Sequence, residues 1–326
     1  MNALTAASPF HRRFLAWLDE RFPFANALLF FILYLTTAAL VRAATGLPLF
    51  DGFVGGTVDF SPVDVLACAV TWSYFLLLRI FDEHKDYALD LQNHPQRVLQ
   101  SGLITLAHLR VAGALAIALQ LGFSLWRDAG VGGATVAWLA VFAWTCLMGK
   151  EFFVGEWLNK HLTWYAVSHM LVMPLIVWWL ANLALPGTGM TPILAGLMTL
   201  AFVSGFCFEI TRKTKGPEEE RDSIESYSRI FGTRGSAFVV MGLVTAMVVN
   251  QLWLVQAVAG APVWWAALLL VAALLLALRQ LWQFVQAPDA KGRGKNEAMV
   301  AIAMLAGYAV LIAVAMSSRG TLFHLG

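Results

Sequence analysis

The sequence predicts an all-α integral membrane protein of nine transmembrane helices, and three observations carry that prediction. Of 326 residues, 59% are hydrophobic and only 13% charged, with a mean hydropathy of +0.69; no soluble domain of this length keeps such a surface in water. Several apolar runs reach the roughly 20 residues that a helix needs to cross a bilayer. The basic residues fall almost entirely on alternate connections between those runs.

Taken in order, residues 1–23 form a polar N-terminal segment. It carries His11, Arg12, Arg13, Asp19, Glu20 and Arg21, with no short apolar core and small-residue cleavage site, so it is not a signal peptide. The spans are expected at about 24–43, 62–80, 104–125, 133–149, 163–184, 192–209, 236–258, 262–285 and 297–316. Together they make one membrane domain, 24–316, with cap loops at about 81–103 and 210–235 and a short tail, 317–326. Nineteen of the 22 basic residues then share a side, leaving Arg42, Arg127 and Arg319 opposite. By the positive-inside rule the N-terminus is cytoplasmic and the C-terminus outside, as in a bacterial inner membrane protein. The net charge of +2 says little by itself, and no nucleic-acid partner is expected. Cys68, Cys146 and Cys207 are scattered through spans without metal-ligand spacing and read as packing residues. Trp17, Trp157, Trp164 and Trp282 lie near span ends, where interfacial indoles belong.

The most informative segment follows the second span. Asp82, Glu83, Asp86 and Asp90 put four carboxylates into nine residues at the end of an apolar run. Spacings of three, four and eight place them on one stripe of a helix. Like charges gathered beside a bilayer repel one another, and a divalent cation shared with a phosphorylated substrate is the commonest reason for them. The segment then runs through Pro95, Arg97 and Gly102 into the third span. The sixth span ends similarly, in Glu209, Arg212, Lys213 and Lys215, breaks at Gly216-Pro217, and continues through Glu218, Glu219, Glu220, Asp222 and Glu225. Two carboxylate sets facing each other across a bundle can clamp metal ions that bridge a diphosphate.

These residues resemble the UbiA superfamily of intramembrane prenyltransferases, which carries an NDxxDxxxD motif after its second helix and a second acidic motif after its sixth. Asp82 takes the Asn position and Glu83 the first Asp position, while Asp86 and Asp90 match the other two. Pro95, Arg97 and Gly102-Leu103-Ile104-Thr105 resemble the elements leading into the third helix, and Lys150 a lysine near the active-site mouth. Glu209 and Glu220 fit the ends of the second motif. The resemblance implies a UbiA-like bundle that moves an isoprenyl group from a polyprenyl diphosphate to an aromatic or other small acceptor. It implies Mg²⁺ held by Asp82, Asp86, Asp90, Glu209 and Glu220, and a catalytic group made of those five and Glu83. Arg97, Lys150, Arg212 and Lys213 are the candidates for holding the departing diphosphate. The isoprenoid enters sideways from the membrane lipid, and His84 or Glu83 is a candidate acceptor base.

The departures bear on the chemistry. Gly216 stands where one branch of the family has an acid, and Arg212 and Lys213 follow Glu209 directly. Either the carboxylates at 218, 219, 220 and 222 replace the missing ligand after a different turn, or Arg212 and Lys213 bind phosphate themselves.

Plainer readings stand beside these. The acidic stripe can be a solvated helix end with Lys85 as partner, the 218–220 run a solvated loop, and Arg97 and Lys150 topology determinants. His169 reads as a packing residue, Tyr227 and Ser228 as the start of the seventh helix, and Glu151 and Glu156 as a turn near the proposed mouth. Two other functions fit the composition, an ion-coupled transporter or permease and a non-catalytic isoprenoid-binding homologue. Transport is disfavoured because the acids cluster at span ends rather than mid-membrane, with Pro174 the main interruption within a span. Oligomeric state is not legible, since lipid-facing and partner-facing surfaces are equally apolar.

Overall fold

The computed structural model describes residues 4–45, 58–221 and 225–323. In chain order its elements are α1 (Phe10–Arg21), α2 (Ala27–Thr45), β1 (Val58–Phe60), α3 (Pro62–Asn93), α4 (Leu106–Arg127), α5 (Gly133–Gly149) and α6 (Gly155–Asn159). They continue as α7 (Leu162–Met170), α8 (Val172–Ala184), α9 (Pro192–Arg212), α10 (Tyr227–Ala259), α11 (Trp264–Gln286), α12 (Ala290–Arg319) and β2 (Thr321–Phe323). Among the described residues eight helical segments are long and apolar enough to cross a membrane, and the 17-residue α5 coincides with the other expected span. This is an integral membrane protein.

Helix α2 lies against α3, α8, α9 and α12, while α9 to α12 pack on one another in turn and α5 packs on α8. Their apolar faces meet in one continuous core, which includes Tyr34, Leu40, Trp179, Leu200 and Met247. Buried polar side chains tie the helices where apolar packing alone gives little specificity. The Tyr74 and Thr145 hydroxyls meet at 2.6 Å, Trp138 donates to Gln120 at 3.1 Å, and Trp179 donates to Ser124 at 3.0 Å.

Three local features differ from the expected boundaries. Helix α3 does not end near residue 80 but runs on to Asn93, so the first connection spans 94–105. Its 32 residues make a rod of about 48 Å against a hydrocarbon layer of roughly 30 Å, and the acidic turns are the part that overhangs. The fifth span is broken at Leu171 into α7 and α8; Pro174 supplies no N–H for the Met170 carbonyl and its ring crowds that turn. The seventh begins at Tyr227, as expected, but Gly232, at φ 72°, breaks the helix after its first turns.

The three basic residues expected opposite the rest are all engaged. Arg42 pairs with Asp64 at 2.7 Å and donates to the Ala184 carbonyl, Arg127 donates to Leu183 O at 2.7 Å, and Arg319 donates to Val258 O at 3.2 Å. Each satisfies carbonyls at a helix C-terminus that have no partner within their own helix. At the same end β1 and β2 form a parallel two-stranded ladder that closes the chain's last described residues onto the segment just before α3.

Candidate active site

The N-terminal segment is not loose. Trp17 of α1 is fully buried among Leu76, Ile80, Leu99, Ile104 and Leu109, which fastens the helix across α3 and the 94–105 connection. Arg13 donates to Leu103 O at 2.8 Å, and Glu20 accepts from the Val98 N–H at 2.8 Å. This position delivers Arg21 to the overhanging end of α3.

There it divides the four carboxylates into two kinds. Glu83 is buried, with Arg21 Nε at 2.5 Å and Arg79 Nη2 at 2.8 Å. Asp90 receives Arg21 at 3.1 Å and Arg97 at 2.7 Å. Both are therefore neutralised within the fold. Asp82 has only a distant Arg79, at 3.9 Å, and a 57% exposed side chain; Asp86 makes no hydrogen bond or ion pair with a described residue. The open acids are thus Asp82 and Asp86, one helical turn apart.

The second acidic end is closed differently. Glu209 accepts from Arg212 at 2.8 Å and Lys213 at 2.9 Å, both on its own helix turn. The run after Gly216 does structural work: Glu218 accepts from the Ala290 N–H, Glu219 pairs with Arg293 at 2.8 Å, and Glu220 accepts from the Ser226 hydroxyl at 2.8 Å. The first two hold the start of α12. Gly216 has its own reason there, since a Cβ would lie 2.7 Å from the Asp289 carbonyl carbon. Asp222 lies outside the described residues.

The ends of α3 and α9 are bridged by a residue that sequence reasoning passed over. Tyr165 of α7 receives the Lys85 ammonium on its hydroxyl at 2.7 Å, and the Lys213 ammonium lies 5.9 Å from the same ring's centroid. His169 stacks on Tyr165 at 4.0 Å, its Nε2 buried without a partner, and Phe152 and Trp144 extend the aromatic group. Lys85 also pairs with Glu151 at 2.7 Å. That contact holds Glu151, Phe152 and Phe153 in a left-handed turn, at φ 47°, 53° and 60°, which costs non-glycine residues about 1–2 kcal/mol each. Lys150, next to this turn, lines a groove on the other face of α3, together with His84.

A divalent cation fits part of the expected set. Among the described residues no group of three or more histidines, cysteines or acids is arranged to hold a metal ion. Mg²⁺ however is held in phosphate-binding enzymes by one or two carboxylates, with substrate and water oxygens completing the octahedron. Asp82 and Asp86 meet that requirement, being one helical turn apart, oxygen-bearing and without a hydrogen-bonded cation. Asp90 and Glu209 each have two basic partners in the way.

Comparison with known proteins gives a likeness of fold. No protein-family model matches the sequence, and no curated protein does. A solved structure of digeranylgeranylglyceryl phosphate synthase superposes with a TM-score of 0.65 at 15% identity, covering 94% of this chain and 99% of that one. An apo structure of a UbiA homologue from Aeropyrum pernix K1 superposes at 0.58 and 14% identity, covering 86% of this chain and 97% of the other. Both alignments run nearly the whole length of the bundle. The chain has the UbiA fold.

Proposed function

We propose that this protein is an intramembrane prenyltransferase, moving an isoprenyl group from a polyprenyl diphosphate to an aromatic or other small acceptor. The observation that carries the reading is the pair Asp82 and Asp86, left open at the overhanging end of α3 while every neighbouring acid is ion-paired. Carboxylates without a close partner at a membrane span's end are costly to keep unless they serve a ligand.

Mg²⁺ bound to this pair supplies positive charge that offsets the diphosphate leaving group. The chain's own residues do the rest. Lys213 and Arg212 exchange Glu209 for phosphate oxygens as the donor arrives, and Lys85 stays fixed to Tyr165 and Glu151 as a standing positive charge. The allylic carbon–oxygen bond breaks, the diphosphate leaves with its electron pair, and the acceptor forms the new bond to carbon and loses a proton. Glu83, buried beneath two guanidinium groups, has no access to that proton. His84 points its ring into the groove on the opposite face. His169, stacked on Tyr165 with its Nε2 buried as well, is not open to it either, and the proton passes to the departing diphosphate or to water. Apolar helices around the site let the isoprenoid enter from the lipid.

The assay is purified protein with Mg²⁺, labelled polyprenyl diphosphates and a mixture of aromatic and phosphorylated acceptors. Product that depends on Asp86 supports the reading. Uptake of solute in proteoliposomes without any prenyl transfer would replace it by transport, and diphosphate binding without turnover would replace it by a binding protein.

A further inference from the structure

On the face of α3 turned away from Asp82 and Asp86, helices α3, α4 and α5 enclose an open groove of 610 Å³. Leu77, Phe81 and Ile117 make its walls apolar. Gly149 lets α5 come close, because a Cβ there would stand 2.8 Å from the Phe81 ring. One end of the groove is basic, with Arg110 from the first turns of α4 and Lys150 from the C-terminus of α5, and no acid lines it. Lys85 also reaches it but is held by Glu151. Arg110 and Lys150 form no ion pair or hydrogen bond with a described residue. His84 contributes a third polar group. Its Nδ1–H donates to Ile80 O at 2.9 Å, which leaves the neutral ring with a buried, unsatisfied acceptor at Nε2.

The groove opens onto lipid. Helix α4 is the least buried of the eight long apolar helices among the described residues, and Val111, Leu115 and Leu119 continue its exposed apolar face beside the groove. Two uncompensated cations at one end of an apolar slot that merges with the hydrocarbon match an amphiphile with an anionic head. A zwitterionic head would bring an ammonium to the same two cations, and a free phosphate ion would leave the apolar walls in contact with water.

We propose that this groove binds an anionic membrane phospholipid, its phosphate between Arg110 and Lys150 and an acyl chain along Leu77, Phe81 and Ile117. Phosphatidylglycerol has that combination of groups. The site is separate from the acidic face of α3 and does not rest on the proposed reaction.

The test offers purified protein equal amounts of phosphatidylglycerol and phosphatidylcholine in mixed micelles and counts bound lipid by native mass spectrometry. The wild-type chain should retain phosphatidylglycerol at least fivefold over phosphatidylcholine. The R110Q/K150Q double variant should lose that preference, and Ala114→Trp, which fills the groove from its exposed side without altering charge, should lose bound lipid of both kinds. K291Q/K295Q, which removes two exposed charges elsewhere, should behave as wild type. Equal retention of the two lipids by the wild-type chain, or an unchanged preference in R110Q/K150Q, overturns the proposal. So does displacement of the phospholipid by an equal concentration of farnesyl diphosphate, which would assign the groove to a prenyl donor.

Discussion

The guanidinium of Arg21 lies 2.5 Å from the fully buried carboxylate of Glu83, sixty-two positions later in the chain. This contact turns a four-acid cluster into a two-acid one. It also makes the N-terminal helix part of the candidate site's foundation, since Arg21 reaches Asp90 as well.

Arg21→Ala leaves Glu83 with Arg79 alone and Asp90 with Arg97 alone, so the protein should lose about 1–3 kcal/mol, the cost of charged hydrogen bonds rather than of a bare buried charge. The R21M/E83M double variant, which removes both charges, should recover most of that loss. Thermal unfolding in detergent measures both, and additive losses in the double variant would mean that the pair is not coupled.

Gly216 stands where the motif resemblance leads one to expect an acid, and the obvious experiment is to place one there. Gly216→Asp should not raise prenyl transfer, because its Cβ has no room against the backbone of Asp289. Overpacking of this kind costs typically 1–3 kcal/mol. A lowered melting temperature with no gain in activity is expected, and a gain in activity would show that the metal-binding side can be completed there.

Tyr165 joins Lys85 to the neighbourhood of Lys213. Tyr165→Phe keeps the ring and the His169 stack but deletes the hydroxyl. The fold should be unaffected, and the donor's KM should rise several-fold while kcat changes less, because charge positioning is lost and the aromatic wall remains. An unchanged KM would remove Tyr165 from the site.

Asp128 supplies a pH-dependent element at the opposite end of the bundle. Burial pushes its carboxyl up, but bonds from the Thr135 N–H at 2.7 Å, the Thr135 hydroxyl at 2.8 Å and the Ala134 N–H at 3.1 Å outweigh this and hold it below the usual carboxylate range. A depressed folded-state value means stability that is present above the unfolded pKa of about 3.9 and is lost as pH falls through the folded one. The melting temperature of wild type should exceed that of Asp128→Asn at neutral pH, and the gap should shrink below about pH 4. A gap independent of pH would assign the effect to packing.

The all-helical membrane class was legible because hydropathy over twenty residues depends on little else, and among the described residues eight of the expected runs form helices long and apolar enough to span. The end of α3 was not. Asp82 to Asn93 carries too many charges to look like a continued span, yet a helix that overhangs the bilayer needs no apolar residues. Composition likewise could not separate Asp82 and Asp86 from Glu83 and Asp90, since the arginines that neutralise the latter come from α1 and the following connection. Tyr165 and His169 sit within an apolar run and look like core until Lys85 and Lys213 are seen against them. The left-handed turn at Glu151–Phe153 has no glycine to announce it, and the reason for Gly216 lies seventy residues away at Asp289. Apart from the end of α3, each miss is a long-range contact, which local periodicity does not encode.

The central claim is that Asp86 is an open ligand-binding carboxylate, whereas Asp90 is a structural one. Prenyl transfer by Asp86→Asn and Asp90→Asn, measured beside their melting temperatures, tests it directly. Asp86→Asn should lose at least a hundredfold in kcat/KM, about 2.7 kcal/mol, at an unchanged melting temperature, while Asp90→Asn should melt lower and keep more activity. Full activity in Asp86→Asn would contradict the account.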